Sequence, residues 1–102
     1  MRITIRFIAV ALITVSGGAL AEGDPAMGKD KSTACAACHG EEGISSIDFW
    51  PNLAGQKYAY LIKQMQAFRD GTREEPTMTP IAQQLSEQDV MDLSAFYSSL
   101  EP

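Results

Sequence analysis

Histidine and cysteine are scarce in this sequence, which has one histidine and two cysteines among 102 residues, all within residues 35–39. A structural zinc site normally needs four Cys or His ligands, more than the chain can supply. A disulfide between Cys35 and Cys38 would close a loop too short to constrain the unfolded chain much. A thioredoxin-like thiol site expects strands and a βαβ unit, and the sequence shows no strand pattern. These three remain the disfavoured alternatives for the cysteines.

Positive charge is also in short supply, since 8 lysines and arginines stand against 13 acidic residues and give a net charge of -5. Nucleic acid selects clusters of lysine and arginine, so this composition argues against a nucleic-acid-binding protein. It favours a protein that meets a basic or neutral partner surface.

The first 21 residues have the pattern of a secretory signal peptide. Two arginines precede an apolar run over residues 7–15, and residues 19–21 form a small-x-small cleavage pattern. A membrane span needs about 20 apolar residues, and a serine and two glycines interrupt this run early. We expect cleavage after Ala21 and export to the periplasm. The mature domain is then residues 22–102, which do not span the membrane and carry a net charge of -7, because the leader removes two arginines and no acid.

Apolar periodicity in the mature chain predicts an all-α fold with three main helices and long irregular connections. The first helix is expected over residues 25–37 and the second over residues 57–70. The third is expected over residues 86–100, where Ser86 and Asp89 form a capping pair. A domain of this size usually needs a disulfide, a metal or another staple to be stable.

The segment Cys35-Ala36-Ala37-Cys38-His39 is a c-type haem attachment motif. Residues three apart on a helical turn share a face, so both thiols can reach the two vinyl groups of one porphyrin. His39 can then offer its neutral imidazole to the iron as an axial ligand. The motif therefore predicts one covalently bound haem c as the cofactor.

Four methionines of the mature chain could supply the second axial ligand: Met27, Met65, Met78 and Met91. Met65 lies on the apolar stripe of the second helix, where a methionine normally packs into the core. Met78 lies between Pro76 and Pro80, whose restricted backbones favour an extended loop that holds the sulfur in place. A short helical turn is expected from Pro80 onward. We therefore predict Met78 as the second ligand.

Beyond the attachment motif, several segments resemble small bacterial class I c-type cytochromes, and especially one haem domain of the two-haem periplasmic cytochromes c. The resembling segments are residues 35–40 (CAACHG), 51–56 (PNLAGQ), 60–61 (YL), 68–71 (FRDG), Met78 and 85–86 (LS). The resemblance covers nearly all of the mature chain.

This resemblance implies the cytochrome c fold, with three main helices and loops wrapped around one haem. A loop methionine ligates the iron in this family, which implies that role for Met78. A proline carbonyl after the motif accepts a hydrogen bond from the ligating histidine, which implies that role for Pro51. The crossing of the family's terminal helices implies close packing of Gly28 against Phe96 and Tyr97.

An iron closed by two protein ligands suits an electron carrier rather than an enzyme. The expected partners are redox proteins: a quinol-oxidising complex, a dehydrogenase, or a terminal oxidase or reductase. One alternative is an electron-transfer subunit of a larger periplasmic oxidoreductase. Another is a haem enzyme that binds a small molecule, which expects a polar distal group. The chain has no second histidine for that role.

Overall fold

The computed structural model describes residues 1–11 and 22–102, so the predicted cleavage point after Ala21 lies outside the described residues. Five helices follow one another in this part of the chain: α1 (Pro25–Lys31), α2 (Thr33–His39), α3 (Tyr58–Asp70), α4 (Met78–Gln83) and α5 (Glu87–Ser99). Residues 1–11 and 22–102 contain no β-strand, so the all-α prediction is confirmed. Among these residues, no helix is both long and apolar enough to cross a membrane.

The two long helices, α3 and α5, form where their sequence patterns predict them. Gly71 ends α3 in the left-handed conformation, with φ of 82°, which glycine adopts without a steric penalty. At the start of α5, the Ser86 hydroxyl accepts a hydrogen bond from the backbone N–H of Asp89. The Asp89 carboxylate accepts one from the N–H of Ser86 in return, so the predicted capping pair is present.

The prediction of a single first helix over residues 25–37 is wrong, because the chain forms two helices that meet at Ser32. The buried Ser32 hydroxyl donates a 2.7 Å hydrogen bond to the Lys29 carbonyl. A serine side chain that bonds nearby backbone competes with helical hydrogen bonding. After this break, α1 packs against α5, and α2 continues the chain to His39.

The prediction that Met78 lies in an extended loop is also wrong, because Met78 is the first residue of α4. Pro80 falls within the first turn of this helix, where its missing N–H leaves no helical hydrogen bond unmade. The carboxylate of Glu75 accepts hydrogen bonds from the N–H groups that open the turn. A proline disfavours helical backbone angles in the residue before it, which is Thr79 here. The hydrogen bonds to Glu75 outweigh this preference.

The core lies between α3 and α5, where Leu61, Leu93, Phe96 and Tyr97 form a buried cluster. Helix α1 crosses α5 closely at Gly28. A Cβ atom there would lie 2.0 Å from the Asp92 carbonyl oxygen and 2.7 Å from the Phe96 Cβ. The expected close approach at Gly28 is therefore made to Asp92 and Phe96.

Candidate functional site

Helix α2 carries both cysteines and the only histidine of the chain. The two thiols are free and half-buried, and Cys35 packs against the core cluster of α3 and α5. Burial raises the pKa of the Cys35 thiol above its ordinary value, because a low-dielectric setting disfavours the thiolate. The Cys35 thiol therefore lies at the edge of an apolar core and stays protonated there.

His39 ends α2 and is almost completely buried, with 5% of its surface exposed. Its Nδ1 lies 2.8 Å from the backbone carbonyl oxygen of Pro51. A carbonyl oxygen only accepts hydrogen bonds, so Nδ1 carries a proton and donates it to Pro51. In the neutral ring, this hydrogen bond leaves the lone pair on Nε2, the nitrogen that can bind a metal.

The loop that carries Pro51 is closed by its own hydrogen bonds. The Gly43 carbonyl accepts from the N–H groups of Leu53 at 2.8 Å and Ala54 at 3.0 Å. The Asn52 side chain accepts from the N–H of Ser45 at 2.8 Å. These contacts hold the Pro51 carbonyl in place against the ring of His39.

The donor set of this region fits a covalently attached haem. Two free thiols three residues apart lie on one short helix, as attachment to two vinyl groups requires. The neighbouring imidazole has its Nδ1 satisfied and its Nε2 available. Leu53 and Met65, which are half-buried, pack against the same core cluster as Cys35, so this thiol adjoins the apolar surroundings that a porphyrin ring needs.

The four candidate methionines lie in different environments. Met78 is half-buried at the start of α4, the helix that packs against α3. Met65 packs against the core cluster, in agreement with the packing role predicted for it. Met27 is exposed on α1, and Met91 is half-buried on α5.

Two residues of this region were not found by reasoning from the sequence. Glu75 caps the turn that begins α4, and an acid shortly before a short helix could have indicated this. Tyr97 was expected as part of an apolar stripe and as a packing partner of Gly28, with no role for its hydroxyl group. Its buried hydroxyl faces Cys35 and, among the residues described, forms no hydrogen bond of good geometry. Burial raises the pKa of this phenol, so it stays protonated.

The sequence is similar to those of known cytochromes. Residues 25–101 match the model of the family described as Cytochrome c. Cytochrome c-554(548) of Halomonas halodenitrificans is 46% identical over 82 residues, which are 78% of this chain and 99% of the relative. Cytochrome c4 of Pseudomonas aeruginosa is 44% identical over 85 residues, which are 83% of this chain and 42% of the relative.

The fold of this chain is also similar to that of a solved cytochrome structure. The crystal structure of reduced cytochrome c4 from Pseudomonas stutzeri superposes with a TM-score of 0.74 at 38% identity. The match covers 78% of this chain and 46% of that one. The chain thus spans nearly all of cytochrome c-554(548) and less than half of these two cytochrome c4 proteins.

Proposed function

This chain belongs to the cytochrome c family, and from that premise we propose that it is a periplasmic carrier of single electrons with one haem, axially ligated by His39 and Met78. Electron transfer by a c-type haem follows from the family. The haem c is bound covalently, and Cys35 and Cys38 fit its Cys-x-x-Cys-His attachment motif. The single motif in the sequence supports one haem per chain.

The observation that carries this proposal is the 2.8 Å contact between His39 Nδ1 and the Pro51 carbonyl. A hydrogen bond of this kind fixes the orientation of a ligating imidazole and raises its basicity. The bound haem supplies an iron that can alternate between ferrous and ferric states. The protein's part is to keep His39 and the two cysteines fixed, so that little rearranges when the charge of the site changes.

Met78 is proposed as the second axial ligand. Its half-buried position and its place at the start of a capped helix support this role. A thioether opposite an imidazole raises the reduction potential and closes the iron to small molecules. The chain's one histidine donates to Pro51 and there is no second one to act as a distal acid or base, which also favours a carrier over a haem enzyme.

The acidic balance of the chain supports a partner with a basic or neutral docking surface. A quinol-oxidising complex, a dehydrogenase, or a terminal oxidase or reductase could supply or accept the electrons. Export is supported by the leader pattern in residues 1–21. We propose that the mature protein begins at Glu22.

Optical spectroscopy of three proteins tests the ligand assignment: wild type, Met78→Ala and the matched control Met91→Ala. The wild-type ferric protein and the control should show the charge-transfer band of a methionine–iron bond, and their ferrous forms should not bind carbon monoxide. Met78→Ala should lose the band and bind carbon monoxide. A wild-type protein that lacks the band and binds carbon monoxide readily would contradict the proposed carrier function.

A further inference from the structure

Glu75 forms four hydrogen bonds across the turn that carries Met78. Its side-chain Oε2 accepts from the backbone N–H of Thr77 at 2.8 Å and of Met78 at 2.6 Å. Its backbone carbonyl accepts from the N–H of Thr79 at 2.9 Å. Its own N–H donates to the Thr79 hydroxyl at 3.0 Å. The backbone on both sides of Met78 is therefore tied to this one residue.

The first turn of α4 depends on Glu75 because the usual capping groups do not serve it. Thr77, at the N-cap position, makes no side-chain capping hydrogen bond. Pro80 has no N–H to contribute. The helix has only six residues, and so short a helix is marginal without capping or tertiary contacts. The Glu75 carboxylate thus satisfies N–H groups that would otherwise lack a partner at the helix end.

The same turn is anchored to α3 through Arg73. The Arg73 guanidinium lies over the Phe68 ring, 4.4 Å from its centroid, and donates a 2.7 Å hydrogen bond to the Gln64 side chain. The Arg73 N–H donates to the Ala67 carbonyl at 3.1 Å. The Thr79 hydroxyl lies 3.5 Å from the Arg73 carbonyl. Glu75 therefore links the Met78 backbone to a segment that is fixed on a long helix.

We propose that Glu75 is the positioning residue for Met78, and that it keeps the thioether at the iron by fixing the backbone on which that side chain is carried. This inference rests on the proposed function, since it assumes that Met78 ligates the haem iron. Methionine has an unbranched side chain with three rotatable bonds, so the position of its sulfur depends on the backbone that carries it. A turn released at its N–H groups would let the Met78 backbone move, and exogenous ligands would then compete for the iron more easily.

The test measures how tightly the ferric holoprotein binds imidazole, together with its methionine–iron charge-transfer band. Glu75→Ala removes the acceptor, whereas Glu75→Gln keeps a carbonyl oxygen that can accept from both N–H groups. Glu74→Ala is the matched control, because Glu74 is the neighbouring exposed acid. Glu75→Ala should bind imidazole at least ten-fold more tightly than wild type, with a weakened band. Glu75→Gln should stay within about three-fold of wild type, and Glu74→Ala should be unchanged.

Thr79→Val provides a second variant of nearly the same shape, in case Glu75→Ala does not retain haem. It removes the hydroxyl that accepts from Glu75, and it should tighten imidazole binding in the same direction by a smaller factor. Unchanged affinity in Glu75→Ala, or in Thr79→Val if that variant must stand in for it, would overturn the proposal. Equal affinity in Glu75→Ala and Glu75→Gln would overturn it too, because charge rather than hydrogen bonding would then be the cause. A Met78→Ala protein with an unaltered band would instead refute the ligand assignment itself, so the two failures are distinguishable.

Discussion

The Lys31 ammonium lies 2.7 Å from the Asp92 carboxylate and joins the end of α1 to the middle of α5. The Asp92 side chain is buried, with 3% of its surface exposed. It also accepts hydrogen bonds from the Asp24 backbone N–H at 2.9 Å and from the Gln88 amide at 3.0 Å. A buried carboxylate is costly unless it is paired and hydrogen-bonded. Asp92 is both paired and hydrogen-bonded, and its contact with Lys31 joins α1 to α5.

Stability should therefore fall at low pH in a way that depends on Asp92. The Lys31 ammonium, helped by the Asp24 N–H, lowers the pKa of Asp92 from its ordinary 3.8 to about 2. Because the folded-state pKa is the lower one, this stabilisation is present above 3.8 and is lost as pH falls toward about 2. Asp92→Asn should lose about 1–3 kcal/mol of unfolding free energy at pH 7. Denaturant titrations of the holoprotein at several pH values measure both effects.

The low-pH decline should become shallower in Asp92→Asn without vanishing. Hydrogen bonds and nearby cations also lower the pKa values of Asp89 and Glu87, so these two acids keep part of the pH dependence. Asp30→Asn changes an exposed acid on α1 and is the matched control. An identical acid response in wild type and Asp92→Asn would show that the Lys31 contact does not govern acid stability.

Much of this fold could be predicted because its long helices depend on local patterns. The apolar spacing of α3, its stop at Gly71 and the capping pair of α5 act within a few residues of chain. The break at Ser32 was missed, because it depends on a side chain that bonds backward to Lys29 and on the packing of α1 against α5. The helical start at Met78 was missed, because the Glu75 carboxylate folds back onto the turn.

In the candidate site, too, some features could be predicted from the local sequence and others could not. Attachment through Cys35 and Cys38 follows from a motif whose spacing carries the chemistry. The contact between His39 and Pro51 spans twelve positions, and only the family resemblance pointed to it, since no local pattern relates the two residues. The orphaned hydroxyl of Tyr97 could not be predicted from an apolar stripe. The role of Met78 at the iron stays a prediction.

Replacing Gly28 with alanine should separate α1 from α5. The new Cβ would lie 2.0 Å from the Asp92 carbonyl oxygen, and this neighbour is backbone that cannot rotate away. Overpacking usually costs about 1–3 kcal/mol, and we expect a loss at the upper end for a backbone clash. The denaturation midpoint of the holoprotein measures it, with the exposed Lys29→Ala on the same helix as control. A midpoint equal to wild type would mean that the two helices do not approach so closely.

Preventing haem attachment should leave the chain largely unfolded. The mature domain is small, and a domain of this size buries only about 60% of the surface that its unfolded chain exposes. Its central cluster consists of only four side chains, Leu61, Leu93, Phe96 and Tyr97, and Cys35 packs against it. The double variant Cys35→Ala, Cys38→Ala, prepared without haem, should give a poorly dispersed amide NMR spectrum, whereas the wild-type holoprotein should give a dispersed one. A dispersed spectrum from the haem-free variant would show that the helices hold together through their own core, and the haem would then be a ligand of a preformed fold rather than part of what folds it.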